Sequence, residues 1–154
     1  MKYSTVQSTL HSLSIAVFAI GISSSANAQQ VGPWFIEKSM GVSNACTAMH
    51  TEAGGMQYTR APQGKYSSFW FAYPKKNLEG ENVSVVVETD SGTFSSLADG
   101  GFGVKLEIGE DLQTALERSK FIRVRHGSDI LFDRSLDGLF KAIPALRKCV
   151  AEQQ

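Results

Sequence analysis

Between Trp34 and Ile108 the apolar positions recur at every second residue in short runs, and beyond Glu110 their spacing lengthens to three and four. Alternation belongs to strands that bury one face, and the longer period to helices that bury a stripe. Residues 34–40 and 45–50 read as two strands around the turn Gly41-Val42-Ser43-Asn44, and residues 56–60 as a third after Gly54-Gly55. Residues 68–73 (SFWFAY) form an aromatic strand that ends at Pro74. Val83, Val85 and Val87 share one face of a strand over 83–89, and Asp90-Ser91-Gly92 turns it back into residues 93–97 as a hairpin. After the turn Asp99-Gly100-Gly101, the residues Val104, Leu106 and Ile108 alternate with Lys105 and Glu107 in a half-buried strand.

The C-terminal third mixes the two periods. Leu112, Ala115 and Leu116 predict a helix over 110–119, with acids in its first turn. A strand over 121–126 follows, with Ile122, Val124 and His126 expected inward and Arg123 and Arg125 outward. Gly127-Ser128-Asp129 turns into a short strand at 130–133. Ser135 is placed to cap a last helix with Asp137 in its first turn. The apolar stripe of that helix is Leu136, Leu139, Phe140, Ile143, Leu146 and Val150, and Pro144 is expected to kink or restart it. The order predicts an α+β fold: an antiparallel β-sheet or sandwich with two C-terminal helices packed on it.

The first residues change the picture of where this domain works. Met1-Lys2, an apolar run from Leu13 to Ile22 and the small-residue stretch Ser23 to Ala28 have the three-part layout of a secretory signal peptide. The run is shorter than the ~20 residues that span a bilayer. Residues 1–28 are therefore read as a signal peptide and 29–154 as a single globular domain, periplasmic or secreted, with no integral membrane segment after cleavage. Cleavage removes Lys2 and leaves a net charge of about −1, which provides no broad field for nucleic acid. In an oxidising compartment the only cysteines, Cys46 and Cys149, are expected to form a disulfide that closes nearly the whole domain. A redox or metal role for the pair would call for a CxxC motif or a nearby set of histidine ligands, and neither is present.

A strand opening at Trp34, Cys46-Thr47-Ala48, a glycine-punctuated β region, and then Ser135-Leu136-Asp137-Gly138 followed by Ala142, Leu146 and Cys149 together resemble a group of small secreted alphaproteobacterial proteins. The run Ser135-Leu136-Asp137-Gly138-Leu139-Phe140 is also similar, more distantly, to the ending of the invasion-associated locus B family. That resemblance implies an exported protein linked to the invasion of host cells, with no established enzymatic activity.

Candidate chemistry adds little that is catalytic. Asp90-Ser91-Gly92 echoes a protease nucleophile, but a serine hydrolase also needs a histidine base and an orienting acid, and the dipeptide before Gly92 suits a hairpin turn. His50 and Glu52, with His126, are too sparse a set for a zinc site. Glu107, Glu110 and Asp111 read as a solvated helix start. No catalytic residue, metal ligand or cofactor is assigned. Two surfaces remain as binding candidates: the aromatic segment with Tyr66, Trp70, Tyr73 and Lys75, and an arginine face built on Arg123 and Arg125 with Arg118, Lys120 and Arg134 nearby. Strand side chains alternate, so the aromatic run either packs two covered faces or leaves rings exposed for a partner. The function expected is a non-catalytic exported binding or accessory protein that recognises a protein, glycan or other envelope component. The alternative is an inhibitor of a secreted hydrolase, lysozyme or protease, with Gly64-Lys65-Tyr66 or Asp99-Gly100-Gly101-Phe102 as the inserted loop.

Overall fold

The computed structural model describes residues 28–39, 44–51, 55–63, 65–72 and 74–154. The expected signal peptide up to residue 27, the turn residues Gly41 to Ser43, Glu52, Gly64 and Tyr73 lie outside the described residues. In chain order the elements are β1 (Gln29–Val31), β2 (Trp34–Lys38), β3 (Cys46–His50), β4 (Met56–Arg60), β5 (Ser67–Ala72), β6 (Val83–Thr89), β7 (Gly92–Asp99), β8 (Gly103–Ile108), α1 (Glu110–Leu116), β9 (Phe121–His126), β10 (Asp129–Ser135) and α2 (Leu139–Ala151). Among the described residues the strands join in the order β1-β2-β3-β4-β5-β8-β7-β6-β9-β10, and each pairing is antiparallel.

The expected α+β architecture is present, and alternation explains its core. Val85, Val87, Val104, Leu106, Ile108, Ile122 and Val124 are buried, while Lys105 and Glu107 between them are exposed. β5 alternates in the same way: Phe69 and Phe71 are fully buried and Trp70 faces the other side half-exposed. The sheet folds over on itself because β7 and β8 pair only at Ala98↔Leu106 and Asp99↔Lys105. One leaf carries β1 to β5 with β8, and the other carries β7, β6, β9 and β10. The leaves meet where Phe132 of β10 stacks on Phe71 of β5 at 4.1 Å, with Phe69 edge-on at 6.1 Å. Aromatic pairs in such geometries contribute beyond the area they bury. The Lys75 amide donates to Leu131 O at 2.7 Å and ties the leaves along this seam.

α2 buries Leu139, Ala142, Ile143, Leu146, Cys149 and Val150 and lies against β2 and β3. Cys46 and Cys149 form the expected disulfide, with alpha carbons 6.1 Å apart across 103 residues of sequence. Trp34, fully buried, donates from Nε1 to the Asp137 carbonyl at 2.9 Å, across the same separation of 103. Gly138 completes this contact. Its φ is +79°, and a β-carbon there would stand 3.0 Å from the Pro33 ring and 3.5 Å from Trp34. The Ser-Leu-Asp-Gly run is thus a junction between the first long strand and the last helix.

Several expectations are corrected. Ser135 does not cap α2. Its hydroxyl accepts from the Asp137 amide at 3.1 Å and donates to Lys120 O at 3.3 Å, so it shapes the preceding turn, and the helix starts at Leu139 after Gly138. α2 does not restart at Pro144: the helix runs on through this interior position, its sixth residue, with the proline on the exposed side. His126 is exposed rather than inward: the β6–β9 ladder ends at Arg125, so His126 falls past the packed layer, with Nδ1 3.1 Å from Ser84 O. β1 was not anticipated, since Gln29-Gln30-Val31 is short and polar; the Gly32-Pro33 turn folds it back onto β2.

Changing both Cys46 and Cys149 to Ala should lower unfolding free energy by about 2–5 kcal/mol, read from urea unfolding followed by circular dichroism. Trp34→Phe should cost about 1–3 kcal/mol in the same assay, because it leaves the Asp137 carbonyl without its indole donor.

Candidate functional site

Where β7 leaves β8 the sheet opens into a cleft of about 610 Å³. Past Ala98 the β7 residues Leu97, Ser96, Ser95, Phe94 and Thr93 stay paired with β6 but have no register with β8. At Ser96 the gap is still bridged by its hydroxyl, which donates to Glu107 O at 2.5 Å. On the opposite wall Gly109 breaks the chain between β8 and α1, so Glu107, Glu110 and Asp111 stand exposed along the rim. Tyr66, with 75% of its surface exposed, lines this cleft and, with Gly109 and Glu110, also an adjoining hollow of about 280 Å³ lined by Lys65, Ile108 and Gln113.

A buried polar cluster holds the α1 wall in place. Glu117, just past α1, has a side chain only 4% exposed. Its carboxylate accepts from Tyr58 Oη at 3.0 Å and Arg147 Nη2 at 2.6 Å, and pairs with Arg60. Gln113 extends the cluster: with its amide assigned so that the oxygen faces Arg60, it accepts from that guanidinium at 2.7 Å and its nitrogen donates to Ser67 Oγ at 2.7 Å. A buried carboxylate is stable only when its oxygens are so satisfied. Burial pushes the Tyr58 phenol well above its usual value, against the opposing pull of Arg60, so it remains a donor. Burial also lowers Arg60, chiefly by removing water from its charge.

The candidate residues read from sequence divide among several places. Tyr66 lies at the cleft mouth. Trp70 lies across Gly103, where a β-carbon would come within 2.8 Å of the indole, so the ring covers a glycine on the outer face. Lys75 is exposed at the seam, and its neighbour Lys76 pairs with Asp129 at 2.6 Å. Arg123 and Arg125 do adjoin, on the other leaf, but their charge is met within the sheet. Arg123 grips Asp133 Oδ2 at 2.9 and 3.0 Å, and Glu88 receives Arg123 at 3.4 Å and Arg125 at 3.2 Å. The bond and charge of Asp133, followed by those of Glu88, raise the Arg123 pKa. Ser91 sits in a turn whose amide is held by Thr89 Oγ1 at 3.1 Å, and its hydroxyl faces Ser119 at 3.5 Å. His50 packs edge-on to Trp34 at 5.0 Å, on the leaf opposite His126.

Thr93, Ser95 and the acids of the α1 start were not picked out as a site. The run of hydroxyls in a strand flanked by valines and the lone Gly109 were the signals available.

The architecture has a counterpart. The chain shares its fold with invasion associated protein B from Bartonella henselae. The crystal structure of that protein superposes with a TM-score of 0.52 at 16% identity, covering 82% of this chain and 97% of the other. The resemblance read from residues 135–140 is thereby supported as a likeness of fold. No family model and no curated protein matches the sequence.

Glu117→Ala should destabilise the protein by about 3–5 kcal/mol in urea unfolding, because Arg60 and Tyr58 then lose their buried partner. Arg147→Ala, whose side chain is 60% exposed, should cost no more than about 1 kcal/mol. Because the folded Tyr58 pKa lies above the unfolded value of 10.0, the unfolded chain releases its proton first as pH rises, so stability should fall above pH 10.0. Tyr58→Phe should flatten that alkaline decline in urea midpoints.

Proposed function

We propose that this is an exported, non-catalytic binding or accessory protein that recognises a protein or envelope component at the Tyr66 cleft. The observation that carries the reading is an open cleft of about 610 Å³ with a largely exposed tyrosine at its mouth. Tyrosine combines a large apolar face with a hydrogen-bonding tip and is enriched where proteins meet partners. The disulfide fits an oxidising compartment, periplasmic or outside the cell. No helix among the described residues is long and apolar enough to cross a membrane. The arginine face is the weaker candidate, since a partner there would compete with Glu88 and Asp133 for the same guanidinium groups.

A second reading, inhibition of a secreted hydrolase, draws on Phe102. It projects 89% exposed from the β7–β8 loop, whose base is held by Gly100 N to Gly80 O at 2.8 Å and Asn82 N to Asp99 Oδ1 at 2.9 Å. A held loop with an aromatic tip is the form an inserted inhibitor takes.

Capture from an envelope fraction tests both. A partner retained by the wild type and by the Arg123→Glu/Arg125→Glu double variant, but lost with Tyr66→Ala, is the expected result, with thermal melts confirming that each variant folds. Retention by Tyr66→Ala would refute the cleft. Titration against lysozyme and serine proteases tests the second reading: inhibition relieved by Phe102→Ala would support it, and no inhibition at micromolar protein would remove it.

A further inference from the structure

We propose that the occupant of the cleft is an extended peptide segment rich in lysine or arginine, which adds as a strand to the free edge of β7. This rests on the cleft being the binding site and names what fills it. On one side, residues 93–97 of β7 pair in register with β6, from Glu88↔Thr93 to Ser84↔Leu97. On the other side they have no strand partner among the described residues, since pairing with β8 stops at Ala98. Half of the backbone donors and acceptors of this stretch therefore face the cleft. An edge of this kind is a template for another strand, and proteins usually cover or charge it. Here Thr93 and Ser95 are exposed and neither is charged. The edge lies within the molecule, facing the α1 wall, and the gap narrows at Ser96, whose hydroxyl reaches Glu107 O at 2.5 Å, so an added strand would lie along residues 93–95.

Charge selects the peptide. Glu107, Glu110 and Asp111 line the cleft, and its described lining contains no lysine or arginine. Lys65 stands beyond Tyr66, in the adjoining hollow. A strand laid along residues 93–95 would rise about 3.3 Å per residue and send alternate side chains toward these acids. Backbone pairing supplies affinity in strand addition, and the side chains that meet the walls supply selectivity. Tyr66 would pack on the aliphatic stem of a basic side chain or face its cation.

The test uses the mature protein, labelled with nitrogen-15, and three synthetic peptides: one alternating lysine with threonine, the same peptide with alternate backbone amides N-methylated, and one alternating glutamate with threonine. The lysine peptide should shift the amide resonances of residues 93–95 and of Glu110 and Asp111, and should bind more weakly as salt rises. The N-methylated peptide keeps every charge but cannot pair as a strand, and should lose binding by tenfold or more. The glutamate peptide should not bind, and Glu107→Lys/Glu110→Lys should weaken the lysine peptide by about tenfold. Equal binding of the methylated peptide, shifts confined to other residues, or no shift with the lysine peptide would each overturn strand addition. A partner captured from envelope in a Tyr66-dependent manner would then leave the cleft standing as a binding site with a different occupant. Retention by Tyr66→Ala would remove the cleft itself.

Discussion

The fold depends on a double fastening of β2 and β3 to the last helix and the turn that leads into it. Trp34 and Cys46 lie on adjacent strands, and each reaches a partner 103 residues further on: the Asp137 carbonyl for the indole, and Cys149 for the thiol. Bringing such distant segments together carries a loop-closure cost that grows slowly with length. The covalent bond removes most of it from the folding balance by constraining the unfolded chain. The hydrogen bond then sets orientation, because it works only when Gly138 adopts a positive φ and lets the turn lie against Pro33. With α2 so held, its apolar stripe covers β2 and β3, and Arg147 is carried to Glu117.

Through that arginine the fastening reaches the cleft. Glu117 lies between β4, which supplies Tyr58 and Arg60, and α2, which supplies Arg147. A carboxylate with so little contact with water tolerates few arrangements, so the end of α1 is placed within narrow limits. α1 has only seven residues and would not hold together by propensity alone. The disulfide, the indole bond and the buried carboxylate thus form one chain of constraint that keeps the acidic wall at a set distance from β7. The cleft lies where β7 keeps its register with β6 but has none with β8, which leaves backbone groups of β7 facing the gap.

The residues that form the core announced themselves by alternation: valines at 85 and 87 with Val83 packed half-buried against them, Leu106 between Lys105 and Glu107, and the helical spacing of Leu139, Ile143 and Leu146. Alternation failed at strand ends, where His126 runs past the layer that would have buried it. Local chemistry likewise misplaced Ser135, because a hydroxyl four residues before a helix can serve the turn instead, and tertiary contact with Lys120 decided between the two. The arginine face was legible as charge, but its pairing with Glu88 and Asp133 was not, since those acids come from neighbouring strands whose register has no local signature. Fold class, the disulfide pair and the inward faces of the strands were thus determined by residue pattern, because periodicity and redox chemistry act over short stretches or need only two atoms. The parting of β7 from β8, the burial of Glu117 and the meeting of Tyr66 with three acids were decided by tertiary structure, because each depends on which distant strands become neighbours.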